Sequence, residues 1–174
     1  MATLTRRRAL LGLGASAAGS AISCMRSAGA SPWRFFTAEE GQTLEAACAQ
    51  LIPADRDPGA REAGAVNYID LQLSLRWKRY RETYRRGISA IDGSSRAQFG
   101  KRFVELAAEQ QVQVLQTVER DATPFFNLFL DHTRQGFYCD PRHGGNRNRV
   151  SWKMLGLPFP QVRGRQHYET PQNG

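Results

Sequence analysis

The sequence predicts an all-α protein: a single domain of four to five helices with an extended C-terminal segment rich in glycine and aromatic residues. Three observations carry that expectation. Apolar residues recur at three- and four-residue steps through most of the chain. No stretch sustains the period-two alternation of a half-buried strand. Two helix starts are spelled out by their capping residues.

The first start is Thr37-Ala38-Glu39-Glu40, a capping box in which Thr37 is the N-cap and Glu40 reaches back to it. Leu44, Ala47, Cys48 and Leu51 share the face behind it, and Pro53 ends the helix. Pro53 to Gly59 reads as a loop, with Asp55 and Asp57 as turn formers rather than general acids. From Gly64 to Ser89 runs the longest periodic segment, with Val66, Ile69, Leu73, Trp77, Tyr80, Tyr84 and Ile88 on its apolar face. Arg76, Lys78, Arg79, Arg81, Arg85 and Arg86 lie opposite, as a solvated basic face. Gly93-Ser94-Ser95 breaks that pattern, and Phe99, Phe103 and Leu106 lead into a helix whose buried face is Val112, Leu115 and Val118. The second clear start has Thr123 as N-cap and Pro124 as first helical residue. Phe125, Phe126, Leu128, Phe129 and His132 fill that helix, and Gly136 stops it. The stretch from Phe137 to Pro160 changes character. Gly144-Gly145 forbids a helix through it, yet it is too aromatic for disorder, so its rings must lie on its own helices or on a partner.

The N-terminus reads as an address label. Gly12-Leu13-Gly14-Ala15-Ser16-Ala17 fits a relaxed dinucleotide-binding turn, but no buried strand precedes it and no acid occurs before Glu39. Instead Arg6-Arg7-Arg8 precedes an apolar stretch of 14 residues, Ala9 to Ile22, below the ~20 that a membrane span needs. Ala28-Gly29-Ala30 then supplies small residues for cleavage before Ser31. Thr5-Arg6-Arg7-Arg8-Ala9-Leu10-Leu11 resembles a twin-arginine signal, with alanine and leucine replacing the usual phenylalanine and lysine. Arg6 and Arg7 are thus the targeting pair, and Ala28 and Ala30 flank the cleavage site. Ala21-Ile22-Ser23-Cys24 also matches a lipoprotein box loosely. The chain divides into a signal at 1–30, a helical domain at 31–160 and a polar tail at 161–174.

Loss of Arg6, Arg7, Arg8 and Arg26, with no acid, lowers the formal charge from +8 to +4 and leaves 144 of the 174 residues, enough for one core. An exported protein rarely meets nucleic acid, so the excess suits an acidic partner subunit or anionic lipid headgroups. Cys48 and Cys139 remain. An oxidising compartment permits a disulfide between them, and two separate buried thiols are the alternative.

No residue pattern announces catalysis. There is no C-x-x-C-H haem attachment, iron–sulfur cysteine run, G-x-S-x-G elbow or phosphate-binding glycine loop. His132, Cys139 and His143 lie close in sequence, and zinc held by them makes an independent periplasmic metal-binding protein or enzyme the competing reading.

Residues 137–160, "FYCDPRHGGNRNRVSWKMLGLPFP", resemble the F-Y-x-D-P-x-Y-G-G-N…W…G-[FY]-P-G-P stretch of the gluconate 2-dehydrogenase subunit 3 family. "LIPADRDPGAREAGAVNYID", "YRRGISAID" and "AAEQQVQVL" are similar to it in the same order. Cys139, His143 and Phe159 depart from residues frequent there. The resemblance implies a non-catalytic small (gamma) subunit of a membrane-bound sugar or sugar-acid dehydrogenase, with no cofactor of its own. A flavoprotein of the glucose-methanol-choline class would hold FAD, and a multihaem cytochrome c would carry electrons onward. The small subunit would carry the signal read by the twin-arginine translocase for itself and the flavoprotein, placing the complex on the periplasmic side of the inner membrane. Tyr138, Asp140, Arg142, Gly144, Gly145, Asn146 and Trp152 are the residues expected at the partner interface.

Overall fold

A computed structural model describes residues 31–157. The targeting residues Arg6 and Arg7, the cleavage residues Ala28 and Ala30, Cys24, Phe159 and the tail at 161–174 lie outside the described residues. Within them the protein is helical and no strand occurs. Five long helices build the body: α1 (Ala38–Leu51), α3 (Ala65–Leu75), α4 (Arg81–Phe99), α5 (Ala108–Asp121) and α6 (Thr123–Tyr138). Two short ones, α2 (Ala60–Ala63) and α7 (Val150–Met154), sit at connections.

Helix α1 is the axis, touching each of the other long helices, while α3 packs on α6 and α4 on α5. Its start is the expected capping box: Glu40 N–H donates to Thr37 Oγ1 at 3.1 Å and Thr37 N–H to Glu40 Oε2 at 2.9 Å. The core gathers Leu44, Ala47, Val66, Ile69, Leu73, Ile91, Val114 and a group of rings around Tyr84. Phe36, Phe125, Phe129 and His132 all lie within 6.4 Å of the Tyr84 ring, centre to centre. Asp57 N–H bonds to Asp55 Oδ1, so that pair forms the expected turn.

Several element boundaries differ from the periodic pattern, each for a tertiary reason. The Gly64–Ser89 segment is two helices, not one. Trp77 leaves the α3 spiral to stack on His132, with ring centres 3.8 Å apart. The Arg81 guanidinium then donates to the last carbonyls of α3, Leu73 O at 2.9 Å and Ser74 O at 3.4 Å, so Arg81 is a helix cap and not a solvated cation. Conversely, Gly93-Ser94-Ser95 does not break α4. One exposed glycine costs a helix only about 1 kcal/mol, and the helix runs on to Gly100, whose left-handed backbone (φ 68°) ends it. In α5, Gln111, Val114, Leu115 and Val118 are buried and Val112 is exposed. Gln111 turns inward because its amide donates to Phe103 O and accepts from Gln50. Ala122, not Thr123, caps α6, since the Thr123 hydroxyl donates to Glu119 O of the preceding helix at 2.6 Å. Gly136 does not stop α6. It lies inside the helix, pressed against Ala65 of α3, where a Cβ would come within 2.9 Å of the Ala65 carbonyl.

The N-terminal approach forms a strap. Asp70, buried in α3, accepts three successive amides: Arg34 N–H at 2.7 Å, Phe35 N–H at 2.8 Å and Phe36 N–H at 3.1 Å. The Trp33 indole donates to Asn67 Oδ1 and covers Gly41, where any Cβ would overlap its ring.

Candidate functional site

As far as Leu157 the C-terminal segment is coiled rather than extended. Beyond α6 it coils into a compact cap built on the helix end. Cys139 caps α6 with an extended backbone, and Asp140 opens a 3₁₀ turn at Pro141–His143. Asp140 Oδ1 accepts from Arg142 N–H and Oδ2 pairs with the Arg142 guanidinium, both at 3.0 Å. Those bonds hold the Asp140 carboxyl below its ordinary range, the Arg142 side chain being the chief cause. Gly144 follows at φ 94°, a conformation open to glycine. At Gly145 the chain returns to the helix so closely that a Cβ would overlap the Gly136 carbonyl.

Asn146 locks the cap. It is fully buried and left-handed (φ 43°), and its groups join three parts of the segment. Its N–H donates to Gly136 O and its side-chain amide to Cys139 O, each at 2.9 Å. Its Oδ1 accepts from Ser151 N–H at 3.0 Å, at the start of α7. Trp152 adds the outer clasp, its indole donating to Tyr138 O at 3.0 Å. Asn148 and Arg149 are also at positive φ, so the turn carries three non-glycine residues in a region that L-amino acids enter reluctantly.

The expected interface residues therefore separate into two groups. Gly145 and Asn146 have their contacts inside the cap and at the end of α6, and Gly144 lies against Asn67 and Leu71 of α3. Asp140 is the turn's cap and Arg142's partner. Tyr138, 47 % exposed, and Arg142 face outward, with Trp152 half-buried at their edge. Residues outside the expected set complete this surface. His143, Arg147, Asn148, Arg149, Lys153, Leu155 and Leu157 are all exposed, and Pro141, Asn148, Arg149 and Lys153 line a shallow groove between the turns. The arrangement is a hydrogen-bonded, basic and partly apolar knob.

Other candidates are not assembled. Cys48 and Cys139 are free thiols. Cys48 lies against Thr133 Oγ1 and is pushed up to about 12 by burial, while Cys139 lies against Gly136 O and is raised by burial as well. The geometry thus follows the separate-thiol alternative and not the disulfide. The zinc trio is likewise dispersed. His132 is buried with Nδ1 2.9 Å from the Tyr84 hydroxyl, Cys139 sits at the helix end, and His143 is exposed. Among the described residues no group of three or more histidine, cysteine or acidic side chains could hold a metal ion. Burial also lowers His132 to about 4, so the ring is neutral near pH 7.

Residues 38–158 match the family model described as Gluconate 2-dehydrogenase subunit 3. This chain belongs to that family. The match spans every helix from α1 to α7, so the whole helical body and its cap are features of this gluconate 2-dehydrogenase subunit 3 domain. Membership points to a subunit that associates with the other subunits of a membrane-associated gluconate dehydrogenase complex. No helix among the described residues is long and apolar enough to cross a membrane. Comparison with curated proteins and with solved structures gives no match.

Sequence reasoning missed Asp70, Asn67 and Trp33 as the holders of the strap. The signal was present: an acid next to Ile69 and one turn from Val66 and Leu73 lies on a buried helix face, where it must find donors.

Proposed function

We propose that this protein is the non-catalytic small subunit of an FAD-dependent gluconate or sugar dehydrogenase complex, and that it escorts the flavoprotein subunit through twin-arginine export to the periplasm. The observation that carries the reading is the family match joined to the Arg6-Arg7 leader. The flavoprotein acquires FAD in the cytoplasm and has to cross folded. A folded protein without its own signal crosses only while bound to one that has it. The contact must therefore form before export and survive it, which favours preorganised surfaces with aromatic and arginine anchors. The cap offers such a surface: Tyr138, Trp152, Arg142 and Lys153 stand on a turn that is hydrogen-bonded throughout. Electrons would pass from FAD to a multihaem cytochrome c, and this chain would hold the assembly without reacting.

The test is the location of the flavoprotein. Co-expressed with this chain, flavoprotein activity is expected in the periplasm. With Arg6→Lys and Arg7→Lys together, it is expected to stay in the cytoplasm. Unchanged periplasmic activity in the variant, or with this chain absent, would overturn the escort role.

A further inference from the structure

The corner between α3 and α4 carries a second surface that the docking role does not use. Leu75, at the end of α3, is 55 % exposed. Arg76, Lys78 and Arg79 follow within four residues, all exposed. From Leu71 to Arg81 the sequence holds no acid. The flanking carboxylates are engaged elsewhere, Asp70 by the strap and Glu82 by Arg86. Among the described residues none of these three cations forms an ion pair. Trp77 and Tyr80 stand between them half-buried, their inner faces fixed on the His132 ring.

We infer that this corner, Leu75 to Tyr80, is a membrane-surface contact for anionic phospholipid headgroups. Charge complementarity selects the occupant: three cations without a carboxylate partner meet a layer of phosphates at a tight bend. Arg79 among them rests on the Tyr80 ring and donates to its hydroxyl at 2.9 Å. The aromatic pair adds the amphipathic rings that favour the boundary between headgroups and acyl chains, and Leu75 supplies a single apolar contact. An acidic protein partner fits less well. A stable protein interface needs an apolar core and roughly 800 Å² on each side, and the cap, with Tyr138, Leu155 and Leu157 exposed, has more of one. This corner offers one large exposed aliphatic residue amid charge. A headgroup layer makes no such demand, since each surface cation adds its own increment. The corner also lies beyond the stretch of α3 that the C-terminal cap covers, which runs to Asn67 and Leu71 at Gly144. At ~1.5 Å per residue, Leu75 stands about one helical turn beyond the cap's contact at Leu71, so the corner adjoins the cap without being part of it.

The experiment compares the full-length protein with R76Q/K78Q/R79Q in co-sedimentation with vesicles of phosphatidylglycerol and phosphatidylcholine, or of phosphatidylcholine alone. Both proteins carry the same leader, so the leader's own lipid affinity cancels. A third protein, R56Q/R61Q/R96Q, removes three exposed arginines elsewhere as a control for net charge. The expected result is a loss of anionic-vesicle partitioning on the order of a hundredfold in the corner variant, from about fivefold per charge. The loss should shrink at high salt and be much smaller in the control. Equal partitioning of wild type and corner variant, or equal loss in the control, overturns the assignment. So does a corner variant that keeps vesicle binding but no longer co-purifies with the flavoprotein, which would make the corner a protein contact. The proposal uses the membrane-associated setting of the family but not the escort role. A failed vesicle assay and a failed export assay therefore speak to separate readings.

Discussion

Asn146 shows how one side chain can hold a turn together. Replacing it with alanine removes both side-chain bonds and leaves a residue with a Cβ at positive φ, so a loss of about 2–4 kcal/mol is expected in urea unfolding. Asn146→Gly relieves the backbone and loses only the bonds, so it should lie between alanine and wild type. Alanine no worse than glycine would show that the left-handed turn costs nothing. His132 makes a different prediction. Its folded pKa of about 4 lies below the ordinary 6.5, so the unfolded chain binds the proton more readily. Stability contributed by the neutral ring is complete above pH 6.5 and is lost as pH falls toward 4. The urea midpoint of wild type should drop between pH 6.5 and 5, ahead of most carboxylates, and that drop should vanish in His132→Gln. Identical pH profiles for the two would refute this account of the ring.

The helices were legible in the sequence wherever local chemistry decided them, and illegible wherever a distant contact did. The α1 capping box depends on Thr37 and Glu40 alone, and it stands as expected. The α3–α4 break depends on Trp77 meeting a histidine 55 positions away, which no periodicity reports. The glycines mislead for the same reason. Gly93 and Gly136 read as punctuation, yet the first is a tolerated helical residue and the second lets two helices touch. Gly136→Ala should cost about 1–3 kcal/mol through overpacking against the Ala65 backbone. The shift in thermal midpoint measures it, and a neutral effect would mean that α3 and α6 slide apart freely. The site divides in the same way. The Asp-Pro…Gly-Gly-Asn motif pointed to the segment after α6, where Gly145 and Asn146 are buried in the turn and Arg142 is exposed.

At the scale of the molecule, five long helices with α1 at their centre expose a basic cap along α3 and a basic corner where α3 ends. The cap's outward residues were only partly foreseen, because exposure is a property of the finished packing and not of a motif. The strap has a practical corollary for anyone trimming the gene. The pattern of helices recommends starting the domain at Thr37, where the first cap is written. Such a truncation would strip Phe36 from the core, leave Asp70 without its three amides and open an indole-sized hole above Gly41. A protein begun at Thr37 should melt well below one begun at Ser31, by several kcal/mol, and equal melting would show the strap to be ornament. The six residues from Ser31 to Phe36 are the closing stitch of the globule, and the scissors belong in front of them.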